Sequence, residues 1–143
     1  MRKLIIYAIA ACAFLLFNAS GCNTKESDTC HRFIHFTNNS GKDVYFSFSV
    51  AGGIPSSNPT TAPEYYKIKE SNTRKLSITT GHMCFEDLKK ESINGLYLYL
   101  FDPNIIRNFS WETVRKENMY LKKYVLTIDE LNKANWKIVF TGD

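Results

Sequence analysis

Residues 43–50, DVYFSFSV, alternate without interruption: Val44, Phe46, Phe48 and Val50 fall on one side, Asp43, Tyr45, Ser47 and Ser49 on the other. Successive side chains of an extended chain point to opposite faces, so this pattern predicts a strand with one face on a core. A helix would scatter the same residues around its circumference. The stretch GLYLYLFD, 95–102, constrains the fold further. Leu96, Leu98 and Leu100 oppose Tyr97, Tyr99 and Phe101, so both faces are apolar or aromatic and the strand is expected to be central. Asp102-Pro103 ends it.

The rest of the chain fits around these two strands. His31–Thr37 is a β-rich run, and with the Asn38–Lys42 turn cluster and residues 43–50 it reads as a hairpin. Residues 51–63 hold three of the four prolines plus Gly52-Gly53. They form neither helix nor central strand, because proline lacks the ladder N–H. Such a loop is either a solvated connection or a functional, mobile segment. Tyr65-Tyr66 to Ile68 and Arg74 to Thr79 read as two shorter strands around a KESNT turn, and residues 81–94 fit one helical turn. Ser110 caps a short helix, WETVRKE, with Glu112 favourable at its N-terminus. MYLKKYVLTI reads as a strand, and Thr127 with Glu130 has the capping-box spacing for a second short helix. The closing NWKIVFTG strand puts Trp136, Ile138 and Phe140 on one face. Seven or eight strands predict a mainly β chain: an antiparallel β-sandwich, immunoglobulin-like or related, with one or two short helices near the C-terminus.

The opening of the chain concerns its address. Arg2 and Lys3 precede an unbroken apolar run from Leu4 to Phe17, and Ala19-Ser20-Gly21 are small. That run is shorter than the roughly 20 residues a membrane span needs and has the plan of a signal peptide. Ala-Ser-Gly-Cys resembles the lipobox of bacterial lipoproteins. The resemblance implies cleavage between Gly21 and Cys22 and a lipid on Cys22, an anchor rather than a span; an ordinary signal peptide with a plain Cys22 thiol is the alternative. Residues 23–29, NTKESDT, are polar throughout and read as a flexible tether. Lys25-Glu26 and Asp28 are similar to the post-cysteine segments that route some lipoproteins of Bacteroidetes-type bacteria to the cell surface. Asn23 stands where enteric lipoproteins retained at the inner membrane carry Asp, so an outer-membrane lipoprotein is expected, facing either the periplasm or the cell surface. The organisation is then signal peptide 1–21, lipidated Cys22 and tether 22–29, and one β-rich domain over 30–143.

Loss of Arg2 and Lys3 lowers the formal charge from +4 to about +2, and the remaining lysines are scattered. A nucleic-acid partner would need a concentrated basic face, so none is expected. Cys12 leaves with the signal, which leaves Cys30 and Cys84 as one disulfide in an oxidising compartment or as two reduced thiols.

The chemistry-bearing residues form no catalytic signature. Cys30, His31, His35, His82 and Cys84 are types that ligate zinc or copper, yet they lack the tight loop spacings of a structural site, so no metal is expected. Cys84 and His82 make a nucleophile and base only if the thiol is free. Glu64, Glu86 and Asp87 are acids whose separation the sequence does not fix. No nucleophile elbow, zinc-protease motif or phosphate loop is present, so no catalytic residue and no cofactor are assigned. Tyr45, Tyr65, Tyr66, Tyr97 and Tyr99 are candidate ligand-binding residues, as amphipathic rings both stack and hydrogen-bond. Cross-strand pairing within a sheet would use the same residues.

The C-terminal third carries a family resemblance. Phe101-Asp102, Trp111 with Val114-Arg115, then Tyr124, Leu126, Thr127, Glu130 and Leu131, and finally Asn135, Trp136 and Ile138 resemble a group of small Bacteroidetes-type lipoproteins. Asn38–Tyr45, NNSGKDVY, matches it upstream. The resemblance implies an envelope lipoprotein and carries no catalytic residue with it. The chain is expected to be a lipid-anchored, non-catalytic binding or assembly module, with the membrane and an unknown protein or glycan as partners. A small envelope hydrolase and an inhibitor or immunity-type lipoprotein are the alternatives.

Overall fold

Both anchoring strands form where the alternation places them, and they pair with each other. The computed structural model describes residues 26, 27, 29–77, 84–87 and 95–142. Its strands are β1 (Ile34–Asn38), β2 (Val44–Ser49), β3 (Lys67–Ile68), β4 (Asn72–Leu76), β5 (Leu96–Phe101), β6 (Lys122–Leu126) and β7 (Lys137–Phe140). They make a three-stranded sheet, β4-β1-β7, and a four-stranded antiparallel sheet, β3-β2-β5-β6. The result is a β-sandwich with short helices. One pair departs from the antiparallel rule, since β7 runs parallel to β1.

The core between the sheets holds Ile34 and Phe36 from β1, Val44 and Phe46 from β2, Leu96, Leu98 and Leu100 from β5, and Trp136 and Phe140 around β7. β5 is central and buried on both faces, as its sequence predicts. Its other face, with Tyr99 and Phe101, packs under Ile54, Ile106 and Val114 in a second apolar cluster. The molecule thus has three layers: sheet, sheet, and a cover of loop and helices.

Four short α-helices are described: α1 (Pro63–Tyr66), α2 (Pro103–Asn108), α3 (Trp111–Lys116) and α4 (Ile128–Lys133). The caps at Ser110 and Thr127 form as expected, each side-chain oxygen accepting the N–H three residues on. α2 is additional to the two helices expected near the C-terminus. Asp102 does end β5, but its side chain also accepts the Asn104 N–H while Pro103 occupies the first helical position. Tyr65 and Tyr66 are helical rather than extended, because Pro63 starts a turn through them, and only Lys67 and Ile68 pair as β3.

The expected hairpin over 31–50 is corrected. β1 and β2 lie in different sheets, so residues 39–43 form an arch between layers. Asn38, fully buried, holds that arch. Its amide nitrogen donates to the carbonyls of Lys42 (2.8 Å), Lys69 (3.2 Å) and Ile68 (3.3 Å), and its oxygen accepts from the Ser40 hydroxyl (2.7 Å) and N–H (3.2 Å). A side chain that satisfies so many backbone groups stands in for the ladder bonds a β1–β2 hairpin would have made.

Candidate functional site

The proline- and glycine-rich segment after β2 is held from other elements at the carbonyls of Gly52, Ile54, Pro55 and Ser56. The Gly52 carbonyl accepts a hydrogen bond from the Tyr99 hydroxyl and one from Lys123 Nζ (3.2 Å). The Ile54 carbonyl accepts from Arg115 Nε (3.3 Å), and Trp111 Nε1 reaches the carbonyls of Ser56 (2.9 Å) and Pro55 (3.2 Å). The Trp-x-x-Val-Arg motif is therefore a clamp: Trp111 and Arg115 hold the segment while Val114 buries between them. Trp111 also meets Phe101 edge to face at 5.1 Å. Proline and glycine suit such a segment, whose carbonyls are used while few N–H groups are required.

Once clamped, the segment forms one rim of an open groove of about 680 Å³ on the side of the sandwich between β2 and β4. Phe46 and Phe48 floor it, Pro55 and Ser57 come from the rim, and Tyr65 and Tyr66 from α1 with Arg74 close the far side. Tyr66 packs on the Phe46 ring at 5.8 Å, whereas Tyr65 is 66% exposed. Arg74 is held by two carbonyls, Lys67 (2.8 Å) and Glu64 (2.6 Å), so its charge is fixed at the wall. No carboxylate lines the groove among the described residues. Such a site, with Lys75 also in its lining, offers rings, hydroxyls and cations to a ligand, and its described residues include no paired acid for hydrolysis.

The five candidate tyrosines do not share one face. Tyr65 and Tyr66 meet at the groove. Tyr45, Tyr97 and Tyr99 point to the helix-covered side, where Tyr99 is buried and Lys123 sits 4.4 Å from the Tyr97 ring centroid. β2 pairs Tyr45 with Phe101 and Ser49 with Tyr97, so the strand period sends these rings away from Tyr65.

A second cluster lies at the N-terminal end of β1. Cys30 and Cys84 form the disulfide. Beside it the His31 ring stacks on Trp136 at 3.9 Å, and its Nδ1 lies 2.6 Å from Glu86. Glu86 also accepts the His31 N–H (3.0 Å), and the Phe85 N–H donates to the His31 carbonyl (2.8 Å). Burial on its own would raise the Glu86 carboxyl, but the hydrogen bonds from the His31 ring and backbone outweigh it and hold the group below its ordinary value. Histidine with carboxylate is the form of a base and its orienter, yet the two nearby cysteines are joined to each other and give it no thiol to activate. The pair instead pins residues 84–87 to the segment just before β1. His35, on β1, lies between Lys75 and Lys137 on the neighbouring strands. His82 and Cys22 lie outside the described residues, as does residue 21.

Glu26 and Ser27, placed in the tether by sequence, are bonded to the domain. Glu26 accepts the N–H groups of Phe33 (3.1 Å) and Arg32 (3.3 Å), and Ser27 exchanges backbone hydrogen bonds with Cys30. Among the described residues no helix is long and apolar enough to cross a membrane. Compared with protein-family models, curated proteins and solved structures, the chain matches none.

Proposed function

We propose that this protein is a lipid-anchored binding module of the bacterial outer membrane or cell surface, non-catalytic, and that the groove beside Tyr65 is its contact site. The observation that carries the reading is the groove's make-up: an exposed tyrosine, a packed tyrosine, serines and a carbonyl-held arginine around an apolar floor. Its rim and wall are held by side chains from other elements, so little ordering cost remains when a partner binds. The family resemblance supports an envelope address, and the lipobox supplies the anchor through Cys22.

A photo-crosslinking amino acid at position 65, compared with one at the exposed Lys116 on α3, tests the reading in intact cells. A discrete adduct from position 65 alone is the expected result. Identical patterns from both positions would refute the groove as the contact site. Protease shaving of the same cells, with a periplasmic control, reports which side of the outer membrane the domain occupies.

A further inference from the structure

The outer face of the β4-β1-β7 sheet gathers basic side chains. Ile34, Phe36, Leu76 and Phe140 turn inward and Ile138 packs on them, so the alternate residues point outward. Register places Lys75, His35 and Lys137 in one row across the three strands, with Thr73, Thr37 and Val139 in the next. The Thr37 and Thr73 hydroxyls meet at 2.8 Å, and Lys75 Nζ lies 5.6 Å from the Phe33 ring centroid, both on this outward side. Val139 is 56% exposed. Two lysines, a histidine, a phenylalanine and a valine share the face, and among the described residues of its three strands none that points outward is acidic.

The start of the folded domain decides what can lie against this face. Glu26 is bonded to the N–H groups of Arg32 and Phe33, immediately before β1. Only four residue steps separate it from Cys22, a span of at most about 14 Å when fully extended. A lipid on Cys22 would therefore hold the β1 end of the sandwich within that distance of the headgroups.

We propose that the outer face of the β4-β1-β7 sheet rests on the bilayer that holds Cys22. Anionic headgroups lie over Lys75, His35 and Lys137, while Phe33 and Val139 reach the interface. This rests on the lipid-anchor reading. Each lysine adds roughly fivefold to the bias toward this orientation on an anionic surface, and salt removes it. The groove between β2 and β4 then opens sideways along the membrane.

The test uses full-length protein purified from membranes, with the mass of the intact chain reporting the lipid on Cys22. Single fluorophores go on Val139→Cys, Thr73→Cys and, on the opposite layer, Lys116→Cys. Quenchers sit in the headgroup region of vesicles containing phosphatidylglycerol. Quenching at 139 and 73 several-fold above that at 116, lost with Lys75→Gln plus Lys137→Gln and at high salt, is expected. Equal quenching at all three positions, or strongest quenching at 116, would overturn the orientation and leave the anchor standing. Shielding of 139 that is independent of lipid charge and salt would point to a second copy on this face and would also overturn it. An unlipidated chain that stays in the aqueous phase would overturn anchor and orientation together.

Discussion

Replacing Asn38 should unfasten the arch between the two sheets, and the size of the loss can be worked from its bonds. The amide has two N–H hydrogens for three carbonyls and an oxygen that serves Ser40 twice, or about four hydrogen bonds. At about 1 kcal/mol net each they contribute ~4 kcal/mol. In Asn38→Ala the groups near Lys42, Lys69 and Ser40 regain water in part, whereas the buried Ile68 carbonyl loses a partner. The expected loss is about 3 kcal/mol. With a urea slope near 1.5 kcal/mol per molar, the midpoint drops by about 2 M. Asn38→Asp gives the sharper test, because a carboxylate would face three carbonyls and a fully buried site. Both raise its folded pKa above the unfolded value, so the penalty is absent at low pH and grows as pH rises through the unfolded Asp value, at about 1.4 kcal/mol per unit. Urea titrations of the Asp and Ala variants at pH 4 to 7 should therefore diverge, with Asp the weaker at neutrality. A difference between them that ignores pH, or an Ala variant within 0.5 kcal/mol of the parent (about a third of one such unit), would refute the account of the arch.

Other outcomes follow from the same geometry. Reducing Cys30–Cys84, or replacing both with Ser, should cost up to about 4 kcal/mol in urea if the chain-entropy account holds; an unchanged midpoint with and without reductant would contradict it. Because the folded Glu86 carboxyl lies below its ordinary value, its contribution is present above that value and is lost as pH falls through the folded one. Glu86→Gln should lose about 1–2 kcal/mol at pH 7 and flatten the acid limb of the stability curve. Trp111→Phe keeps the ring on Phe101 but drops the bonds to Pro55 and Ser56, so proteolysis within 51–58 should accelerate several-fold with a stability loss of only about 1 kcal/mol.

How much was legible depended on whether the signal was local. β2 and β5 were readable because one strand face on a core imposes a two-residue period, and β5 declared its two-sided burial through leucines opposing aromatics. The caps at Ser110 and Thr127 were equally local. The hairpin was misread because a Gly-containing turn of this length serves a hairpin and an arch alike, and only Asn38's burial separates them. The α1 turn was hidden by the β preference of Tyr65-Tyr66, although Pro63 marked its start, and Asp102-Pro103 marked α2 as well as the end of β5. Of the site, Tyr65, Tyr66 and the segment after β2 were visible as candidates. Arg74 was not, since its role arises from carbonyls brought to it by α1 and β3. Nor was the clamp, because a Trp and an Arg four residues apart say nothing about a loop some fifty residues upstream.

The parallel pairing of β1 with β7 also sets a timetable. His35 and Lys137 are about a hundred residues apart, so the central strand of one sheet stays half-partnered until nearly the whole domain has been delivered. Closing that distance costs loop entropy before any contact returns it, which makes the step slow. A chain supplied from its N-terminus therefore keeps β1 open on its β7 side for most of that time, and the tertiary structure completes only after residues 137–140 arrive.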